Sequence, residues 1–70
     1  MEITVKDRIE FREGELIRKY KEIKSYKYSE VIHEFLGFIT ALNDFRIIAD
    51  EEHYNYYIEF SKKLIKIGVK

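Results

Sequence analysis

Apolar side chains recur along the chain at helical spacings, and the recurrence breaks in two places. Val5, Ile9, Leu16, Tyr20 and Ile23 form the first series. At about 100° per residue they fall within an arc of about 60°. Thr4 precedes the series as a capping residue, and Asp7 places an acid in the first turn. The pattern predicts a helix over about 5–25. Gly14 lies inside it, off the stripe, and weakens it by roughly 1 kcal/mol relative to alanine. A β-hairpin competes for the start, because Ile3, Val5, Ile9 and Phe11 also alternate around Lys6-Asp7-Arg8. Phe11 separates the two readings. On a helix it points about 160–180° away from the stripe, whereas on a strand it sides with Ile9.

Lys24-Ser25-Tyr26-Lys27-Tyr28 reads as a connection. Ser29 is the expected N-cap of a second helix over about 30–45, with Glu30 in its first turn. Val31, Ile32, Phe35, Leu36, Phe38, Ile39, Leu42 and Phe45 occupy about half of its wheel, enough for two neighbours. This makes it the central helix. The small residues Gly37, Thr40 and Ala41 offer a place where another backbone can approach. Asn43-Asp44 weakens the helix, and Ile47 and Ile48 in the following corner are expected to plug it from beneath.

A third helix is predicted over about 51–67. Asp50 is its expected cap, Ala49 its staple onto Tyr54, and Lys62, Lys63 and Lys66 suit its carboxyl end. Its wheel carries two apolar groups. Tyr54, Tyr57, Ile58, Ser61, Leu64 and Ile65 form the expected core stripe. Tyr56, Phe60 and Ile67 lie about 120–160° away from the centre of that stripe. A single small bundle is not expected to cover both groups, so the second is expected to face a partner or the N-terminal segment.

These elements predict an all-α fold, a three-helix bundle in one small domain. Composition agrees. There is no proline, and the three glycines are too few for the turns of a β-rich chain. A chain of 70 residues buries only about 60% of its unfolded surface, so homodimerisation is a natural way to supplement its core. The absence of cysteine excludes disulfides and thiolate metal sites. No apolar run is long enough for a membrane span, and MEITVKDRIEF has no apolar signal core, so the expectation is a cytoplasmic chain with no membrane partner.

Catalytic signals are weak. Ser25 and Ser29 sit in connection or cap positions, and Ser61 lies on the core stripe. Glu51-Glu52 stands at a helix start, where acids are expected in any case. No glycine-rich phosphate loop occurs. Asp50 and His53 have the spacing of a helical carboxylate–histidine pair, but no further ligand accompanies them, and His33 projects onto a polar face. The expectation is a non-enzymatic chain with no cofactor and no metal.

Thirteen basic and thirteen acidic residues cancel, which argues against a general polyanion binder. The charges are nevertheless segregated. Arg18, Lys19, Lys21, Lys24 and Lys27 stand against Glu22 alone, with Tyr20, Tyr26 and Tyr28 among them. Such a segment, joined by the C-terminal lysines including Lys70, grips phosphates and stacks on bases, which is the alternative, nucleic-acid-binding reading. Against it, the 43–50 connection is long for a helix-turn-helix, and the third helix opens with acids.

Six tyrosines and five phenylalanines exceed what a small core needs. Phe11, Tyr26, Tyr28, Tyr56, Phe60 and Ile67 are the candidate protein contacts. The leading expectation is a protein-interaction module, a regulator or inhibitor that occupies the surface of a protein partner or of its own twin. The richness in lysine, isoleucine, tyrosine and glutamate resembles that of short accessory proteins of AT-rich bacteria, their phages and plasmids. That resemblance is compositional; it implies a mobile-element regulator acting on a host macromolecular machine.

Overall fold

A computed structural model describes residues 2–68, which form three helices: α1 (Val5–Glu22), α2 (Tyr28–Asp44) and α3 (Asp50–Gly68). No strand occurs among the described residues, so the chain is an all-α three-helix bundle. No helix among them is long and apolar enough to cross a membrane.

Thr4 starts α1 from an extended backbone (φ −79°, ψ 166°). Its hydroxyl accepts from the Asp7 amide at 3.1 Å, and the Asp7 carboxylate accepts from the Thr4 amide at 3.1 Å. This reciprocal box satisfies two amides at the helix start and rules out the hairpin. Phe11 accordingly points outward and is 72% exposed. The helix ends at Glu22, three residues before the expected Ser25, because Ile23 turns extended (φ −102°, ψ 107°). Tyr26 then folds back, its amide on the Ile23 carbonyl at 3.1 Å and its ring against the core.

The start of α2 corrects one expectation. Lys27, not Ser29, holds the cap position, with φ −89° and ψ 157°. Its amide donates to Glu30 Oε1 at 3.4 Å. The acid three positions on supplies the bond, so the helix begins before the serine is reached.

The far end of α2 closes as a Schellman turn. The Ile47 amide donates to the Leu42 carbonyl at 2.8 Å, and the Arg46 amide to the Asn43 carbonyl at 3.0 Å. Arg46 takes the left-handed conformation that this turn demands, with φ 60°. Glycine is the residue usually found there, so the arginine carries about 1 kcal/mol of backbone strain. The Asn43 side chain secures the corner by donating to the Ile48 carbonyl at 3.1 Å and to Asp50 Oδ1 at 2.9 Å. Asp50 is therefore a tether to Asn43 and not the cap. The Ala49 amide, one residue earlier, donates to Glu52 Oε1 at 3.0 Å. Only one of the two isoleucines acts as the plug, since Ile48 is buried and Ile47 exposed. Phe45 lies beyond the helix, 79% exposed, and not in the core stripe.

Ile9 and Leu16 of α1, Val31, Phe35 and Ile39 of α2, Ile48, and Phe60 and Leu64 of α3 form the core. Phe35 and Phe60 stack with ring centroids 4.1 Å apart and an interplanar angle of 29°. The largest correction concerns α3. Phe60 is fully buried, Tyr56 and Ile67 are half-buried, and Tyr54 and Ile65 are exposed. The helix is thus turned about 90° from the expected orientation. The partners that choose this rotation sit on other helices. Phe35 takes the Phe60 ring, Thr40 Oγ1 meets His53 Nε2 at 3.0 Å, and Glu13 accepts from Lys63 Nζ at 3.1 Å. Glu13 is itself buried, so Lys63 satisfies a carboxylate that would otherwise be desolvated without an ion partner.

Gly37 does not serve a close approach within this chain. A Cβ at Gly37, or at Gly14, meets nothing within 4 Å. Gly14→Ala and Gly37→Ala are each expected to raise stability by about 0.5–1 kcal/mol, read as a higher urea midpoint. Phe60→Ala is expected to cost about 3–5 kcal/mol. That is much of the roughly 4–10 kcal/mol available to a domain of this size, so helical circular dichroism should fall steeply at ambient temperature.

Candidate functional site

Burial of Phe60 against Phe35 removes it from the candidate contact surface, and Tyr56 packs partly against the same core. Tyr56 and Phe60, expected to face a partner or the N-terminal segment, belong to the inner face of α3, with Phe60 stacked on Phe35 of α2. Of the remaining candidates, Phe11 is the most exposed, Tyr28 is 39% exposed, and Tyr26 and Ile67 are half-buried.

Phe11 belongs to an open groove between α1 and α2 of about 640 Å³, lined by Ile3, Asp7, Arg8, Phe11, Arg12 and Phe38. Ile3 is 68% exposed, so two large apolar side chains on this lining stand in solvent. The charges on the rim are mostly engaged. Asp7 is held by Thr4, and Arg12 donates to Glu15 at 3.1 Å. Arg8 makes no ion pair among the described residues. Phe11 also borders a smaller hollow of about 290 Å³ with Gly14, Glu15 and Arg18. Sequence reasoning found Phe11 and missed Ile3, Arg8, Arg12 and Phe38. The signal was present for the α1 members, since positions 4, 7, 8, 11 and 12 share one helical side. Phe38 was hidden because it read as core.

The basic candidates divide. Lys21, Lys24 and Lys27 line a second groove of about 530 Å³ with Tyr20, Tyr26, Tyr28 and Gly68. Arg18 lies instead beside Phe11, and Lys19 is half-buried. Lys70 lies outside the described residues.

His53 is half-buried against Thr40, while Asp50 bonds to Asn43, so that pair does not converge. His33 is exposed. Among the described residues no group of three histidine or carboxylate side chains converges as metal ligands do.

Comparison with protein-family models, with curated proteins and with solved structures finds no match to this chain, so its function is read from its own surfaces.

One titratable group stands out. Burial, then the carboxylates of Glu52, Glu10 and Glu13, raise the Tyr56 phenol above the ordinary 10.0. Folding therefore favours the protonated phenol. Its contribution to stability is complete below the unfolded value and is lost as pH climbs through the higher folded value. Above pH 10.0, urea midpoints of the wild type should fall more steeply than those of Tyr56→Phe, and the two curves should run parallel below it.

Proposed function

We propose that this chain is a non-enzymatic protein-binding module and that the groove centred on Phe11 is its contact surface. The observation that carries the reading is the exposure of Phe11, at 72%, in an apolar groove whose rim carries Arg8, a cation with no ion pair among the described residues. An exposed phenylalanine on a helix of a small domain contributes nothing to its core, whereas an aromatic anchor beside an arginine is a common composition for a recognition centre.

The groove calls for an amphipathic segment with an aromatic or aliphatic anchor and acidic flanks. The chain itself carries such a surface. The corner between α2 and α3 and the first turns of α3 expose Phe45, Ile47 and Tyr54 among Asp44, Asp50, Glu51 and Glu52. A second copy therefore offers the complementary chemistry, and a foreign protein with the same surface would compete for the groove. A module of this kind regulates or inhibits by occupying a face that another partner needs.

The test combines solution mass over a wide concentration range with binding of a labelled peptide carrying residues 44–58. The wild type is expected to self-associate or to bind the peptide. Phe11→Glu should abolish the first and weaken the second about tenfold or more, as loss of an interface anchor does. Phe11 is solvent-exposed, so the variant should keep its helical spectrum. A wild type that stays monomeric and ignores the peptide, or a Phe11→Glu variant that behaves as the wild type does, overturns the reading.

A further inference from the structure

We infer that the tyrosine–lysine groove at the α1–α2 corner is a second, separate binding site, for single-stranded nucleic acid. Lys21, Lys24 and Lys27 line it, and no acidic side chain does. None of the three makes an ion pair among the described residues. A cation in the last turn of a helix suits its dipole, and that accounts for Lys21. It favours Lys24 as well, one residue past the C-cap Ile23. Lys27 differs, because it occupies the cap of α2, where the helix presents its positive end. Lys27 also makes no side-chain capping bond, so its place disfavours the fold and requires another reason.

An anion supplies that reason. The amides of Glu30 and Val31 bond to the Lys27 carbonyl, while those of Tyr28 and Ser29 have no acceptor among the described residues. Free amides at a helix start, with two lysines beside them, match a phosphate in charge and in donors.

The aromatic lining selects among phosphates. Tyr28 is exposed enough to stack on a base, and Tyr20 and Tyr26 form the wall behind it. A duplex is read by a helix or ribbon laid in its groove, whereas these residues straddle a helix end and a loop. A flexible single strand can follow that corner, with phosphates on the lysines and a base on the tyrosine.

The assay is fluorescence anisotropy of a labelled oligothymidylate at low salt. Binding is expected to weaken with added salt, with a log–log slope of roughly −2 for three phosphate contacts. Tyr28→Ala should weaken binding about tenfold, and Tyr28→Phe should restore it. Lys27→Ser is the decisive variant, because serine is the better cap. It should raise the urea midpoint while weakening binding and making the salt slope shallower by about 0.7. Lys6→Glu, at the opposite end of α1, should weaken binding far less than Lys24→Glu. The assignment fails if the oligonucleotide does not bind, if Lys6→Glu matches Lys24→Glu, or if Tyr28→Ala is silent. It fails equally if polyglutamate or inorganic pyrophosphate competes as well as unlabelled oligothymidylate does.

Discussion

The stacked pair Phe35–Phe60 decides how the molecule is assembled. Phe35 sits near the middle of the central helix and Phe60 near the middle of the third, and their rings meet 4.1 Å apart. Once the rings are in register, α3 has no rotational freedom. Leu64 one turn on must enter the core, His53 must face Thr40, and Lys63 must reach across to the buried Glu13 of α1. The apolar contact supplies the free energy, and the two polar contacts penalise any other rotation. The ion pair alone would add little, because half of Lys63 remains in water. Its weight lies in not leaving Glu13 desolvated and unpaired.

The corner before α3 aims that helix. A Schellman turn ends α2, Arg46 accepts a left-handed backbone, and Asn43 spans the bend with two hydrogen bonds. Ile48 is drawn beneath while Ile47 stays outside. Local strain at Arg46 is thereby exchanged for a buried isoleucine and a fixed inter-helix angle. The other connection is arranged differently. It is held by Tyr26 against the core, and it places Lys27 at the positive end of α2, where helix electrostatics disfavours a cation.

Among the described residues a core of eight buried apolar side chains leaves many others outside. Exposed apolar residues are ordinary when scattered, and informative when grouped with a charge that has no structural task. Two such places occur on different parts of the surface: Ile3 and Phe11 beside Arg8, which makes no ion pair among the described residues, and the exposed Tyr28 beside Lys24 and Lys27. We propose the first as a protein contact and the second as a phosphate contact.

Local chemistry along the chain determined the number of helices, the central place of the second, the capping box at Thr4–Asp7 and the outward direction of Phe11. Each follows from spacing or from a side chain bonding its own neighbours within a turn. The segment rich in lysine and tyrosine was legible for the same reason, as a run of adjacent residues. The rotation of α3 was not legible. Its apolar residues surround most of the helix, so its own sequence supports two inward faces almost equally. The choice was made by Phe35, Thr40 and Glu13, which stand 25, 13 and 50 positions from their partners Phe60, His53 and Lys63. The groove around Phe11 was half legible, because Ile3 and Arg8 lie near it in the chain, whereas Phe38 reaches it only when α2 packs alongside. Tertiary structure decided these points because a helix wheel shows which side chains share a face, and only a neighbouring helix determines which face is buried.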